Sequence, residues 1–355
     1  MRIAIVNDLA LAVEALRRAV RAIPGAEIAW VARDGAEAIA LCARDRPDLV
    51  LMDLVMPGVD GVQATREIMQ RSPCPVLVVT ASVHGNVAKV YDALGYGALD
   101  AVATPRLGLT GGLEGAAELV RKIATVQALA AERAPAPMRS AAAPSPAAAA
   151  PTASPAVPAL VAIGASTGGP SALAHVLTGL PADLPATVAI VQHIDGGFAA
   201  GLARWLARRT GRAVTPLLAP VPLRAGEVWL AAGEGHLVLR DDYRLGLSPE
   251  PRDHLHRPSI DVFFESVARR LPNGGCGVLL TGMGRDGAQG LLALRRAGFH
   301  TIAQDETTSV VWGMPRVAVE HGGARVVLPL DDIAASIARH VTSLIAGAGP
   351  EPSNR

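Results

Sequence analysis

Short, mainly apolar runs alternate along this chain with stretches whose apolar residues recur every three or four positions. In the first third the strand-like runs cover residues 2–7, 28–32, 48–53, 76–81 and 99–103. Helical patterns fall between them near 10–22, 36–44, 62–70 and 87–94, with a last one near 114–129. Strands with no polar face must be covered on both sides, and amphipathic helices between them supply that cover. Five such βα units predict an α/β fold with a five-stranded, doubly wound parallel sheet. The theme returns after residue 158, with strands over 159–163, 187–191, 228–231 and 278–281. Helical patterns follow near 171–178, 199–208, 262–270 and 288–297, and 236–240 with 244–248 reads as a hairpin across Asp241-Asp242-Tyr243. The expectation is a second, larger and mainly parallel α/β domain with an inserted hairpin.

Between the two halves, residues 134–158 collapse to little but Ala, Pro, Ser and Thr. Such a segment buries too little side chain to offset its ordering entropy and reads as a linker. The predicted layout is a domain over 1–130, a linker over 131–158 and a domain over 159–350. Composition fits this, since half of the 355 residues are hydrophobic and two cores are within reach. The 33 basic and 32 acidic residues are dispersed, and no basic stripe marks a nucleic-acid partner. Cys42, Cys74 and Cys276 have neither disulfide-framework nor zinc spacing and read as buried thiols in a reducing compartment. The chain opens directly on the strand pattern Ile3-Ala4-Ile5-Val6, and no apolar run approaches the ~20 residues that span a bilayer. A cytoplasmic protein is expected.

Ligands of open α/β sheets bind beyond the carboxyl ends of the strands. Asp8 follows the first strand, Asp53 closes the third, Thr80 ends the fourth and Thr104-Pro105 follows the fifth. Two carboxylates with water ligands suit Mg²⁺, and a carboxylate beside that ion can attack a phosphoryl donor, with Thr80 donating to a phosphoryl oxygen. The run Leu51-Met52-Asp53-Leu54-Val55-Met56-Pro57-Gly58-Val59-Asp60-Gly61 resembles the phospho-acceptor loop of two-component receiver domains. That resemblance implies a CheY-like domain with Asp53 as the phosphorylated residue and Asp8 and Asp53 as Mg²⁺ ligands. Two positions depart from the receiver pattern. Asn7-Asp8 stands where two acids are usual, and Thr104 stands where a Lys is usual, leaving Arg106 as the nearest cation.

In the second domain a strand runs into Gly164-Ala165-Ser166-Thr167-Gly168-Gly169-Pro170 and then a helix. Glycines allow a tight strand-to-helix turn, Pro170 suits a first helical turn, and Ser166 sits where a helix N-terminus favours negative charge. Gly164-x-Ser166-x-Gly168 matches a nucleophile elbow. A dinucleotide-binding turn would need Gly where Ser166 stands, which disfavours a dehydrogenase. The next strand ends in His193, and sequential strands are usually neighbours, so His193 can serve Ser166 as base. The 278–281 strand leads to Asp286 at a helix start, as an orienting carboxylate or an N-cap. His254 and His256 form an HxH pair without a third metal ligand nearby, and His236 reads as structural.

These motifs, together with Gln192-His193, His256-Arg257-Pro258-Ser259-Ile260-Asp261 and Thr281-Gly282-Met283-Gly284-Arg285-Asp286-Gly287, closely resemble the CheB family of protein-glutamate methylesterases. The Asn7-Asp8 and Thr104-Pro105 variants resemble its WspF branch, which serves surface sensing. The resemblance implies that Ser166, His193 and Asp286 are catalytic, with backbone N–H groups at Thr167 and Met283 as oxyanion-hole candidates. It implies a glutamyl methyl ester on a methyl-accepting chemoreceptor as substrate, and in related enzymes glutamine deamidation as well. It implies a histidine kinase as phosphoryl donor, Mg²⁺ for receiver phosphorylation, no cofactor for the esterase, and membrane proximity only through the receptor. It also implies an unmodified receiver packed over the esterase cleft, released when Asp53 is phosphorylated. The competing reading is a non-catalytic, phosphorylation-regulated docking module that keeps the esterase fold.

Overall fold

The computed structural model describes residues 1–80, 87–108, 113–132, 158–194, 196–254 and 256–346; most of the predicted linker lies outside the described residues. The first unit runs β1 (Arg2–Val6), α1 (Ala10–Arg21), β2 (Glu27–Ala32), α2 (Gly35–Arg44), β3 (Leu49–Met52), α3 (Gly61–Arg71), β4 (Val76–Thr80), α4 (Val87–Gly95) and β5 (Asp100–Ala103). A two-residue pair, β6 (Arg106–Leu107) and β7 (Leu113–Glu114), precedes α5 (Ala116–Glu132). The five long strands are all parallel, in the order β2-β1-β3-β4-β5. β3 and β4 are buried along their whole length, as their unbroken apolar runs require. Arg106, the nearest cation to Thr104, is exposed and pairs through its backbone with Glu114.

The second unit runs β8 (Ala159–Ala165), α6 (Gly169–Gly179), β9 (Ala186–Gln192), α7 (Gly196–Thr210), β10 (Val214–Leu217), β11 (Val221–Pro222), β12 (Val228–Ala231), β13 (His236–Leu239), β14 (Arg244–Ser248) and α8 (Ile260–Arg270). It continues with β15 (Gly275–Leu279), α9 (Ala288–Arg296), β16 (His300–Gln304), α10 (Met314–Glu320), β17 (Val326–Leu328) and α11 (Leu330–Ala346). Seven parallel strands form the order β10-β12-β9-β8-β15-β16-β17, and the expected hairpin β13–β14 lies in a separate antiparallel sheet with β11. Sequence pattern had not picked out β10, β16, β17, α10 or α11. β16 carries His300 and Gln304, and β17 has three residues, so neither shows an apolar run.

β15 begins three residues before the expected 278, at two glycines that would ordinarily weaken a strand. The reason is close approach. Gly275 has φ 153°, and a Cβ there would fall 2.0 Å from the Leu160 carbonyl oxygen of β8. A side chain would push β15 off the strand that carries Ser166.

Both sheets reverse their order of growth at one place, and both candidate sites fall there. In the first sheet the reversal separates β1 from β3, which deliver Asp8 and Asp53; in the second it separates β8 from β15, which deliver Ser166 and the 281–287 loop. The two units also share one apolar cluster. Val78, Tyr91 and Leu94 of the first belong to the same buried group as Leu173, Phe198 and Trp205 of the second. Among the described residues, hydrogen bonds cross the boundary from Tyr91 Oη to Phe198 O (3.0 Å), from Ser171 Oγ to Leu94 O (2.8 Å) and from Gly168 N to Leu99 O (3.1 Å).

Gly275→Ala should destabilise the second unit by about 1–3 kcal/mol, the usual cost of forcing extra atoms into a packed site. A fall in the urea midpoint of the full chain measures it; an unchanged midpoint would show that β8 and β15 can separate freely.

Candidate functional site

The acidic site of the first unit is built on adjoining strand ends. Asp53 is buried, with Oδ1 accepting from Leu54 N (2.7 Å) and Oδ2 from Asn7 Nδ2 (3.1 Å). Asn7 Oδ1 accepts from Leu9 N (2.9 Å), so its amide is committed to the loop and to Asp53. Asp8 is exposed at the rim. Burial pushes the Asp53 carboxyl above its ordinary range against two backbone donors, and the Asp8 charge adds to the rise. Thr80 is buried at the end of β4, and its carbonyl accepts from Thr104 N (3.1 Å). The Thr104 hydroxyl, where receivers carry an ammonium, is buried with no hydrogen-bond partner. The donor set of two carboxylates fits Mg²⁺, which binds one or two carboxylates and keeps several waters. Among the described residues no group of three or more His, Cys, Asp or Glu forms a metal site.

In the second unit, β8 ends at Ala165 and the chain turns at Ser166 into α6. The turn needs Gly168, whose φ is 76° and whose added Cβ would strike Val310 at 2.6 Å. Thr281 Oγ1 pins the same turn by donating to Thr167 O (3.0 Å), and Ser166 N donates to Thr281 O (3.0 Å). β9 lies beside β8 with Ala165 opposite Gln192. His193 N then donates to Ala165 O (3.0 Å) and Gln192 Nε2 to Ser166 O (2.8 Å), which brings the imidazole next to the serine turn. Among the described residues no protein acceptor takes the backbone N–H of Thr167 or of Met283.

Asp286 lies across from His193, with Oδ2 2.7 Å from Nε2. It does not cap its own helix, since Gly287 is the N-cap of α9. It caps α8 instead. Oδ1 accepts from Ser259 Oγ (2.8 Å) and Asp261 N (3.1 Å), and Oδ2 from Ile260 N (2.7 Å). Although burial alone would raise it, the His193 bond and these α8 donors hold the carboxyl well below the usual carboxylate range. His193 therefore keeps its proton on Nε2, facing a carboxylate. Nδ1 is buried and without a protein partner, the nitrogen left to accept a proton.

Sequence reasoning counted 256–261 among the family motifs and read His236 as structural, which its burial bears out, but missed the partnership of Ser259 with Asp286. Ser259 caps α8 through Val262 N (3.3 Å) while it donates to Asp286. Buried His236 accepts from Ser259 N at Nδ1 (3.0 Å) and donates from Nε2 to Pro251 O (2.9 Å), which fixes the segment that holds Asp286. A Ser at the head of a strong helix pattern, 27 residues before the acid it serves, leaves no spacing signal for that partnership. The HxH pair points two ways. His256 stacks on His193 with centroids 4.2 Å apart, and His254 meets His236 edge-on at 5.8 Å. Burial, with His193 alongside, pushes the His256 imidazole down to about 4, so a neutral ring lies against His193.

The site opens into a chamber of about 630 Å³ between the two units, with Ser166, His193 and Met283 on one wall and Ala101, Arg121 and Lys122 on the other. Lys122 is tied to its own unit by Asp100 (2.9 Å) and Ala101 O (2.8 Å).

Asp261 offers a check on the electrostatics. Its Oδ1 accepts from Gly290 N (2.7 Å), yet burial first, and the Asp286 charge after it, raise the carboxyl from 3.8 to about 7. A carboxyl whose folded pKa exceeds its unfolded value loses stabilising effect as the pH rises between the two. Asp261→Asn keeps the acceptor for Gly290 and removes the charge. It should be nearly neutral for stability at pH about 4 and increasingly stabilising up to pH about 7. Urea unfolding across that range tests it, and a pH-independent difference would contradict the assigned direction.

Comparison with known proteins accords with this geometry. Residues 161–337 match the family model described as CheB methylesterase, and residues 3–106 match that of the response regulator receiver domain. The chain is 49% identical over 340 residues to protein-glutamate methylesterase/protein-glutamine glutaminase 1 of Pseudomonas fluorescens Pf-5, covering 94% of this chain and 97% of that one. It is 52% identical over 334 residues to protein-glutamate methylesterase/protein-glutamine glutaminase 4 of Burkholderia thailandensis E264, with 94% and 96% covered. The CheB methylesterase catalytic domain of Thermotoga maritima superposes with a TM-score of 0.50 at 32% identity, covering 52% of this chain and 99% of that one. With the serine turn, the paired imidazole and carboxylate and a receiver-type sheet on one chain, and with likeness over nearly its whole length, the protein belongs to the CheB family of receiver-linked protein-glutamate methylesterases.

Proposed function

We propose that this chain is a phosphorylation-controlled protein-glutamate methylesterase of the cytoplasm, acting on glutamyl methyl esters of a methyl-accepting chemoreceptor. The observation that carries the reading is the 2.7 Å pairing of His193 Nε2 with Asp286, which leaves Nδ1 bare beside the Ser166 turn. Ser166 Oγ attacks the ester carbonyl as His193 Nδ1 takes its proton. Asp286 holds the tautomer and balances the imidazolium charge. The free N–H groups of Thr167 and Met283 receive the oxyanion. Methanol leaves with the proton from His193, and a water activated by the same nitrogen releases the glutamate. With ammonia as leaving group the same steps deamidate a glutamine, the second activity named for the relatives. Among the described residues no helix is long and apolar enough to cross a membrane, consistent with contact through the receptor alone.

Asp53 is the proposed phosphoryl acceptor, with a histidine kinase as donor. Asp8 and Asp53 would hold Mg²⁺, which supplies charge neutralisation at the acceptor. Asn7, Leu54 and Thr80 position Asp53 and its surroundings from the protein side. In place of the receiver Lys, the Thr104 hydroxyl and exposed Arg106 weaken the coupling between phosphate and β5. These variants support placing the chain in a surface-sensing pathway. Control follows from the chamber, because β5 and α5 of the receiver stand over Ser166 in the resting arrangement. The layout of receiver 1–130, linker 131–158 and esterase 159–350 belongs to the same proposal.

Ser166→Ala should abolish methanol release from methylated receptor membranes, and retained turnover would remove Ser166 as nucleophile. Asp53→Asn should prevent acyl-phosphate labelling and hold methanol release at the level of the unphosphorylated enzyme. Label that persists in that variant would mean another acceptor.

A further inference from the structure

Most of the catalytic apparatus is already assembled while the receiver covers it. All four hydrogen bonds to Asp286 come from the second unit, His193 among them, and Nδ1 of His193 remains unpartnered. Ser166 is partly exposed and Met283, beside it, is 39% exposed. What the receiver changes is room. The chamber between the units holds about 630 Å³, within the range of about 300–1,000 Å³ typical of small-molecule pockets. The receiver residues Ala101, Arg121 and Lys122 form the wall opposite Ser166. A helical bundle cannot be laid against Ser166 while that wall stands there, whereas a short acyl ester fits within the chamber.

We infer that the resting, unphosphorylated protein hydrolyses small, uncharged acyl esters at Ser166, so that phosphorylation gates substrate size and leaves the chemistry unchanged. This rests on the assignment of Ser166 as nucleophile and goes beyond the receptor reaction. The small ester enters from the Met283 side, and its acyl group lies against Ile194 and Val311 of the chamber wall. The Ser166 O–H proton passes to His193 as the Oγ–acyl bond forms. The ester C–O bond breaks, and the alcohol leaves with that proton. Water then adds to the acyl carbon, one of its protons returns through His193 to Oγ, and a free carboxylic acid departs. No oxidant or cofactor enters the balance.

The test uses the full chain as purified, 4-nitrophenyl acetate as probe, and phosphoramidate with Mg²⁺ as phosphoryl donor, with methanol release from methylated receptor membranes measured in parallel. The expected result is nitrophenolate release that is lost in Ser166→Ala and equal with and without phosphoramidate, while methanol release rises with it. Nitrophenolate release that does not depend on Ser166, or that climbs with phosphoramidate in step with methanol release, overturns the inference. Ser166-dependent nitrophenolate release with no methanol release in either state would leave the small-ester activity standing and remove the receptor assignment instead.

Discussion

A single carboxylate ties the esterase unit together. Asp286 takes three donors from the first turn of α8 and a fourth from His193, so one side chain closes a helix terminus and aims an imidazole. The two tasks reinforce each other. Unsatisfied N–H groups at a helix start carry partial positive charge, and an anion placed there is stabilised. An ionised Asp286 keeps the Nε2 proton of His193 engaged and leaves Nδ1 without a protein partner. Burial raises the proton affinity of the neighbouring Asp261, and the Asp286 anion adds to that rise. Ser259 and His236 act one layer further back, fixing the α8 entry on which the carboxylate depends.

The two sheets obey one rule with different chemistry. Each places its reactive side chains where strand order reverses, because two loops diverge there and leave a crevice. In the receiver the crevice holds Asp53, whose proton affinity is raised by burial first and by the Asp8 charge after it; in the esterase it holds a serine under a helix N-terminus. The units then meet along α4, α6 and α7 through buried Tyr91, Leu94, Phe198 and Trp205, with the Tyr91 hydroxyl answered by a carbonyl across the boundary. That contact lies beside β4, which ends at Thr80, and β5, which ends at Ala103 just before Thr104.

Much of this was legible in the residues. Mainly apolar runs marked the five long strands of the receiver, though not the two-residue β6 and β7, and the glycine-flanked Ser166 marked the elbow. His193 could be placed because sequential parallel strands tend to be neighbours, as β8 and β9 are. The illegible parts share a physical cause. β15 starts on Gly275, a position set by the approach of another backbone that composition does not encode. Asp286 was legible as a carboxylate for His193 or a cap of its own helix; it meets His193 but caps a helix 26 residues earlier, a pairing that exists only after α8 and α9 pack together. The interdomain face was hidden for the same reason, because Tyr91 and Trp205 read as ordinary apolar positions of two separate amphipathic helices.

That shared face gives the covered arrangement a preference of its own. Separating the units would wet an aromatic and aliphatic surface that is dry here, so the hydrophobic effect favours their contact. Under the control proposed above, the silent arrangement would then be the relaxed one, and it would return without a dedicated off-signal.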